Sequence, residues 1–246
     1  MHYNLLDGDV AIEADNGSRT VPLPKGSGAT FYTSFCDAAD GPGIHPPRSS
    51  LICEIPDAPP RFEDDRVERV WDDHAARLIW TALDLAADGL EAWQAPFLGY
   101  RPRVGVMWGV ALSATRYRAG TAVPTPHQPP FLQNAQRDTY VSVGFSFGDA
   151  KAPDVGMYAY IWPPPDGDRS WGVEGAAWHP DAGLVRLPWA RLRETADPHQ
   201  VIMAFGDAVH DAAVETAGWP SELVGPRVEG WYMSRTPPGS VQHQHG

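Results

Sequence analysis

The sequence has few cysteines and no long apolar run, and both absences restrict the class of protein. Only two cysteines occur, Cys36 and Cys53, and they form neither a CxxC pair nor a disulfide framework. Both lie among apolar neighbours, so we expect inert, buried thiols. No apolar stretch approaches the roughly 20 residues that span a bilayer, and no basic and apolar leader opens the chain. We therefore expect a soluble, cytoplasmic protein with no membrane partner.

Basic residues are also scarce, because 19 lysines and arginines stand against 31 acidic residues and leave a net charge of −12. Phosphate binding needs clustered basic side chains, so this composition excludes nucleic acid as a partner. The sequence contains no GxxxxGK, GxGxxG or HExxH motif. We therefore predict no cofactor and no metal site. His210 and Asp211, which are adjacent on a predicted helix, are interpreted as a surface pair.

Tryptophan, proline and glycine are abundant, with 10, 25 and 24 residues among 246. Together with 43% apolar residues, this composition predicts a globular chain with long loops around a Trp-rich core. The length suits one large domain or two small ones. We assign a single domain to residues 1–224 and a Pro/Gly-rich tail to residues 225–246.

Turn signals and hydrophobic periodicity predict an α+β fold. Asp7-Gly8 is a hairpin signal, and so is the Asn16-Gly17 step. Strands are predicted at 104–117, 140–147 and 157–162. Helices are predicted at 30–39, 72–93 and 199–217. We therefore expect a mainly antiparallel sheet that is packed by two or three longer helices.

Two further patterns concern the organisation of the chain. A Pro-rich stretch at 119–136 has the length of a lid or binding loop. A turn, a strand that ends in Leu-Pro and a helix with a Phe-x-Asp-Ala pattern occur at 15–38 and again at 181–208. We interpret this repeat as a degenerate internal duplication.

Several short motifs occur along the chain in an order that is typical of a known family. They are Glu54-Ile-Pro-Asp57, Phe97-Leu-Gly99, Trp108-Gly109, Thr115-Arg-Tyr117, Tyr158-Ala-Tyr160 and Gly218-Trp219. Together they resemble a widespread bacterial domain family of unknown function over residues 2–224. The resemblance implies a set of polar residues that this chain replaces: Gly105 stands where the family usually has a histidine, and Tyr100 where it has a lysine.

The resemblance also implies that family members begin with a further helix and strand. We therefore expect this chain to be a shortened, diverged member whose first sheet has an exposed edge and an apolar patch. A homodimer or a partner chain is expected to cover that side.

An aromatic set on the predicted central strands is the candidate site. Because strand side chains alternate, Tyr158, Tyr160 and Trp162 are expected to share one face. The predicted substrate-binding residues are Trp108, Tyr117, Tyr140, Tyr160 and Trp162. The predicted catalytic residues are Arg116, Asp138 and Tyr158. The alternative interpretation is a Trp-rich core in which Arg116 pairs with a neighbouring acid.

The functional expectation is a cofactor-independent enzyme that acts on a small, largely apolar organic molecule. Cyclisation, isomerisation or elimination would suit such a site, because positioning in a dry cavity lowers their barriers. One alternative is a non-catalytic protein that binds a small molecule or a partner chain. Another is a metal-dependent hydrolase with rearranged ligands.

Overall fold

The structure is a computed structural model that describes residues 1–23, 25–52, 58–107, 111–122, 130–148, 153–166 and 171–226. The chain divides into two compact units, Met1–Asp84 and Leu85–Gly246. The assignment of residues 1–224 to one domain stays a prediction. Most of the predicted tail, residues 227–246, lies outside the described residues.

The first unit opens with a short antiparallel sheet of three strands. They are β1 (His2–Asn4), β2 (Asp9–Ala14) and β3 (Gly17–Pro22). The predicted Asp7-Gly8 turn joins β1 to β2, and Gly8 has a φ of +68°, which glycine adopts without strain. A Cβ atom at this glycine would also lie 2.8 Å from the indole nitrogen of Trp71. Both conformation and space therefore require glycine at this turn.

A helix, α1 (Gly28–Asp40), packs against this sheet. Ser27 caps its N-terminus by accepting the backbone N–H of Thr30 at 3.2 Å. The helix contributes Ala39 to a core with Ile12 and Val21 of the sheet. Further described elements are the paired strands β4 (Lys25–Gly26) and β5 (Arg69–Val70), and helix α2 (Asp73–Gln94). The boundary between the units falls within α2.

The second unit contains a large antiparallel sheet. Its described strands are β6 (Gly105–Met107), β7 (Ala111–Thr121), β8 (Asp138–Ser146), β9 (Gly156–Trp162), β10 (Ala177–His179) and β11 (Leu184–Pro188). Across the sheet the order is β10-β11-β9-β8-β7-β6, and each neighbouring pair is antiparallel. This sheet, with the helices of both units, confirms the predicted α+β class. The predicted internal duplication stays a prediction.

One face of the large sheet is covered by helix α5 (Pro198–Ala217), which contacts β8 and β9. Asp197 caps the helix by accepting the N–H of Gln200 at 3.0 Å, and Gly218 ends it in the left-handed conformation. Shorter helices are α3 (Pro130–Ala135) and α4 (Trp189–Arg193). Among the described residues, no helix is long and apolar enough to cross a membrane.

Two sequence predictions are wrong in detail. The single strand predicted at 104–117 is instead two antiparallel strands, β6 and β7. β-Propensity alone does not show where a strand reverses, and residues 108–110 lie outside the described residues. The loop predicted at 119–136 contains the end of β7 and the whole of α3. The prolines in this stretch favoured the prediction of a loop. Proline is well tolerated at the first position of a helix, however, and α3 begins at Pro130.

Candidate functional site

The two faces of the large sheet differ in chemistry. In the register of β7 with β8, Tyr117 lies opposite Tyr140, and in that of β8 with β9, Ser142 lies opposite Tyr160. Because side chains alternate along a strand, one face carries Tyr117, Tyr140, Tyr158, Tyr160 and Trp162. We call this the tyrosine face. The prediction that Tyr158, Tyr160 and Trp162 share a face is confirmed by the register.

The rings of the tyrosine face form a continuous row across three strands. Ring centroids are 5.5 Å apart for Tyr117 and Tyr140, and 5.8 Å apart for Tyr140 and Tyr160. Tyr160 and Tyr158 are stacked at 6.4 Å with an interplanar angle of 13°. Tyr100 extends the row beyond Tyr117 at 5.4 Å and is 71% exposed. The row therefore runs from a half-buried region of the sheet to solvent.

Tyr158 is held in place by contacts with two neighbouring strands, β7 and β8. Its hydroxyl donates a 3.0 Å hydrogen bond to the carbonyl oxygen of Leu112 on β7. The ring passes over Gly144 of β8, where a Cβ atom would lie 2.4 Å from the ring carbon Cζ. Glycine at this position is thus what allows the phenol to reach across the strand.

Beside this phenol lies a cluster of small hydroxyl groups. Ser113 and Ser142 approach to 3.1 Å between their Oγ atoms, and Thr115 lies 3.3 Å from Ser142. Thr115 and Ser142 are buried. We call these three residues the hydroxyl cluster. Each hydroxyl is both a donor and an acceptor, so the cluster can accept a hydrogen bond from a bound molecule or donate one to it.

Three phenols of the tyrosine face, those of Tyr117, Tyr140 and Tyr158, stay protonated well above neutral pH. Burial and the neighbouring Tyr160 raise the pKa of Tyr140 and of Tyr158 above the usual value. For Tyr158, the hydrogen bond with Ser113 and the charge of Arg186 partly offset this rise in pKa. Burial also raises the pKa of Tyr117. These groups are therefore neutral hydrogen-bond donors, and a phenolate base is not expected among them.

The remaining predicted residues lie at different places. Asp138 begins β8 on the tyrosine face, is exposed, and lies near enough to Tyr117 that its charge helps to raise the pKa of that phenol. The Trp162 indole N–H donates to the carbonyl oxygen of Gln136 at 3.0 Å. Trp108 lies outside the described residues. Arg186 of β11, opposite Tyr158 in the register, is a buried cation that sequence reasoning missed.

Arg116 does not share a face with the other predicted residues. It alternates with Tyr117, so it lies on the face that α5 covers, and its side chain is 0% exposed. Its guanidinium carbon lies 3.9 Å from the ring centroid of Trp93 and 5.3 Å from that of Phe97. One guanidinium nitrogen donates to the carbonyl oxygen of Trp93. Contact with aromatic rings and a carbonyl makes this arginine part of the core.

His210, interpreted above as a surface residue, is only 3% exposed, so that prediction is wrong. Its ring packs edge-on against Trp219 at 5.5 Å and against Phe97 at 6.0 Å. Burial and the charge of Arg116 lower the pKa of His210 to about 4. The helical period could have located it, since position 210 follows the buried Gly206 by one turn.

Within the part of the chain that the structure describes, no group of three or more His, Cys, Asp or Glu side chains is placed to hold a metal ion.

The fold and the two faces define an α+β protein built on a large antiparallel sheet, with a row of neutral phenols on one face. The chain belongs to a family of unknown function, DUF5996, whose model matches residues 1–225. This match confirms the resemblance to a family of unknown function. No curated protein matches the chain, and neither does any solved structure.

Proposed function

We propose that this protein is a cofactor-independent enzyme and that its substrate, a small and largely apolar organic molecule, binds against the tyrosine face. The observation that carries the proposal is the row of four rings, Tyr117, Tyr140, Tyr160 and Tyr158, with successive centroids 5.5, 5.8 and 6.4 Å apart. Such a row offers apolar area with hydroxyl groups at fixed positions, which is typical of small-molecule sites.

The protonated phenols favour reactions in which an oxygen of the substrate gains negative charge. A neutral donor that is already in place stabilises such charge without reorganisation. Isomerisation or elimination next to a carbonyl group is of this type, and so are many cyclisations. Asp138 is the candidate proton acceptor, because it is an exposed carboxylate on the same face. Arg116 has no role in this proposal, since it lies on the other face.

A specific observation favours a second candidate, a non-catalytic protein that binds a small molecule. The Tyr158 hydroxyl donates a hydrogen bond to the carbonyl oxygen of Leu112, and the residues of the hydroxyl cluster are hydrogen-bonded to one another. Hydroxyl groups whose hydrogen bonds are already made within the fold are better suited to positioning a ligand than to transferring protons. A metal-dependent hydrolase has no support among the described residues.

The experiment measures binding and turnover separately. The full chain is screened by thermal shift against cyclohexenone, cinnamaldehyde, indole and limonene oxide, and any stabilising compound is incubated with the protein and analysed by mass spectrometry. Tyr140→Phe and Tyr160→Phe are the test variants. Tyr3→Phe is the matched control, because that tyrosine is 62% exposed and lies in the first unit.

An enzyme is supported if a compound is converted and the rate falls at least tenfold in the test variants but not in the control. Binding that depends on the same hydroxyls, without conversion, supports the second candidate and contradicts the first. Stabilisation that is equal in all variants, or absent for every compound, contradicts a site on the tyrosine face.

The predicted homodimer or partner chain is a separate proposal. It is supported by β1, an edge strand of the first sheet, on which His2 and Tyr3 are exposed. Size-exclusion chromatography with light scattering tests it. A stable monomer whose mass is unchanged in Tyr3→Asp contradicts self-association through this edge, and a dimer that dissociates in that variant supports it. Location in the cytoplasm also stays a prediction.

A further inference from the structure

A concave region lies beside the C-terminal half of α5, in the second unit. It is a groove of about 410 Å³ whose described lining includes Asp207, His210, Asp211, Glu215 and Ser221. We call it the α5 groove. It is separate from the tyrosine face, because α5 covers the opposite face of the sheet.

Two carboxylates of the α5 groove are placed where they destabilise the helix. Asp211 and Glu215 lie four residues apart, and like charges at that spacing repel. Glu215 also lies in the last turn, where the helix dipole favours positive charge, and that turn has no basic residue. One cation does reach this end: Arg118 donates to the carbonyl oxygen of Ala217 at 3.1 Å. A positive charge in the groove would offset the remaining repulsion.

His210 provides an independent indication of a ligand. The residue lines the α5 groove, yet it is 97% buried, since its exposed fraction is 3%. Neither of its ring nitrogens has a hydrogen-bond partner within the described ranges. A neutral imidazole has one acceptor nitrogen and one N–H donor, and burying them without partners is unfavourable. A ligand with an N–H donor would satisfy the acceptor.

The charge of this imidazole is consistent with such a ligand. Burial and the nearby Arg116 guanidinium keep the pKa of His210 low, so the ring is neutral at physiological pH. A neutral ring does not repel a cation and accepts a hydrogen bond from it. Arg116 itself is not among the described residues that line the groove.

We propose that the α5 groove binds a small organic ammonium ion, with Asp211 and Glu215 balancing its charge and His210 accepting one of its hydrogen bonds. An ammonium group fits better than a metal ion, because no set of three metal-ligating side chains is assembled among the described residues. The volume of the groove accommodates a short aliphatic amine or diamine with room for water.

The test titrates the full chain with 1,4-diaminobutane and n-butylamine at low ionic strength, by calorimetry and by ¹⁵N NMR of the His210 ring. n-Butanol is the uncharged control ligand, and Mg²⁺ is the metal control. The protein variant is Asp211→Asn combined with Glu215→Gln, which removes charge from two exposed positions and keeps their shape. Asp84→Asn, an exposed carboxylate of α2 outside the groove, is the matched control.

We expect both amines to bind and to shift the His210 ring nitrogens, whereas butanol does neither. The double variant should bind about tenfold more weakly, because two exposed ion pairs are lost. Asp84→Asn should bind like the wild type, and added salt should weaken binding. Equal binding by the double variant overturns the proposal. So does binding of Mg²⁺ without the amines, or the absence of any amine binding at 10 mM.

Discussion

The two faces of the large sheet place their polar residues in different surroundings. On the face that α5 covers, the guanidinium of Arg116 is fully buried between aromatic rings, next to a buried and neutral His210. On the tyrosine face, the phenols of Tyr117, Tyr140 and Tyr158 have raised pKa values, and three tyrosines, Tyr117, Tyr158 and Tyr160, are only partly buried. The charge of Arg116 is thus enclosed in the core, whereas the tyrosine face combines neutral phenols with the exposed carboxylate of Asp138 and the buried Arg186.

The difference shows that residue type alone does not identify a functional group. An arginine is normally a strong candidate for binding an anion, but Arg116 already contacts Trp93 and Phe97 and is closed to solvent. Tyrosine is often a core residue, yet here it forms a row that reaches solvent at Tyr100. Burial and the face of the strand decide between the two roles.

The largest expected effect is on the face that α5 covers. Arg116→Ala removes the contacts with Trp93 and Phe97 and leaves a cavity, so we expect the free energy of unfolding to fall by about 3–5 kcal/mol. Tyr160→Ala, the matched change on the partly exposed tyrosine face, should cost clearly less. Urea denaturation of both variants measures the difference. A larger loss in Tyr160→Ala would reverse the assignment of the two faces.

Two glycines allow the same comparison without removing any group. A Cβ atom at Gly206 of α5 would lie 2.5 Å from the indole nitrogen of Trp93, and one at Gly144 would lie 2.1 Å from the carbonyl oxygen of Leu112. We expect each alanine variant to lower the free energy of unfolding by roughly 2–3 kcal/mol, because the added methyl group would overpack its surroundings. Gly144→Ala should also displace Tyr158, whereas Gly206→Ala should leave it in place.

The control for both glycines is Gly105→Ala, because a Cβ atom there meets nothing closer than 3.8 Å. Its free energy of unfolding should stay within about 0.5 kcal/mol of the wild type. Denaturation and near-ultraviolet circular dichroism measure stability and tyrosine environment together. An unchanged tyrosine signal in Gly144→Ala would contradict the described packing of Tyr158.

The buried His210 predicts a loss of stability in mild acid. Its pKa is lowered from an ordinary value of 6.5 to about 4, so between these values the unfolded chain binds a proton that the folded chain does not. The free energy of unfolding should therefore fall as the pH drops from 6.5 toward 4, by roughly 2 kcal/mol in total.

His210→Phe is the informative variant for this pH dependence, because a phenyl ring keeps the edge-on contacts with Phe97 and Trp219 but does not titrate. Denaturation at several pH values should give a shallower slope for this variant over that range. NMR titration of the His210 ring in the wild type checks its pKa directly. An ordinary pKa, near 6.5, contradicts the neutral, buried ring on which the comparison depends.

Local signals in the sequence were sufficient for much of the fold. Asp7-Gly8 specifies its turn through glycine's positive φ, and the apolar stripe of α5, with Asp197 as cap, fixed that helix to within a residue of its start. The reversal between β6 and β7 was not predictable in the same way, because β-prone residues continue across it. Pairing of strands depends on contacts that are distant in sequence, which local patterns do not contain.

The candidate site was predicted in part for the same reason. Alternation along a strand correctly grouped Tyr158 with Tyr160, and it could also have separated Arg116 from Tyr117. It could not indicate which face α5 covers, because both alternating sets contain large apolar or aromatic residues. Ser113 and Arg186 were missed because their proximity to Tyr158 arises only when β7, β8, β9 and β11 pair.

The smallest expected effect on stability belongs to the tyrosine face itself. Tyr158→Phe removes one 3.0 Å hydrogen bond to a backbone carbonyl but keeps the stacking on Tyr160, so we expect a loss of only about 1 kcal/mol. Tyr3→Phe, in an exposed position, is the control and should be neutral. Urea denaturation of the two variants, side by side, gives the difference.

The value of this variant lies in separating stability from binding. If the tyrosine face binds a small molecule, Tyr158→Phe should weaken that binding by more than its modest effect on unfolding, because a ligand oxygen loses a nearby donor or the Leu112 carbonyl is left unpaired beside it. A variant on the α5 side, such as Gly206→Ala, should instead lower the free energy of unfolding and leave binding to the tyrosine face unchanged. Loss of binding in strict proportion to stability, in both variants, would mean that the two faces do not differ in role.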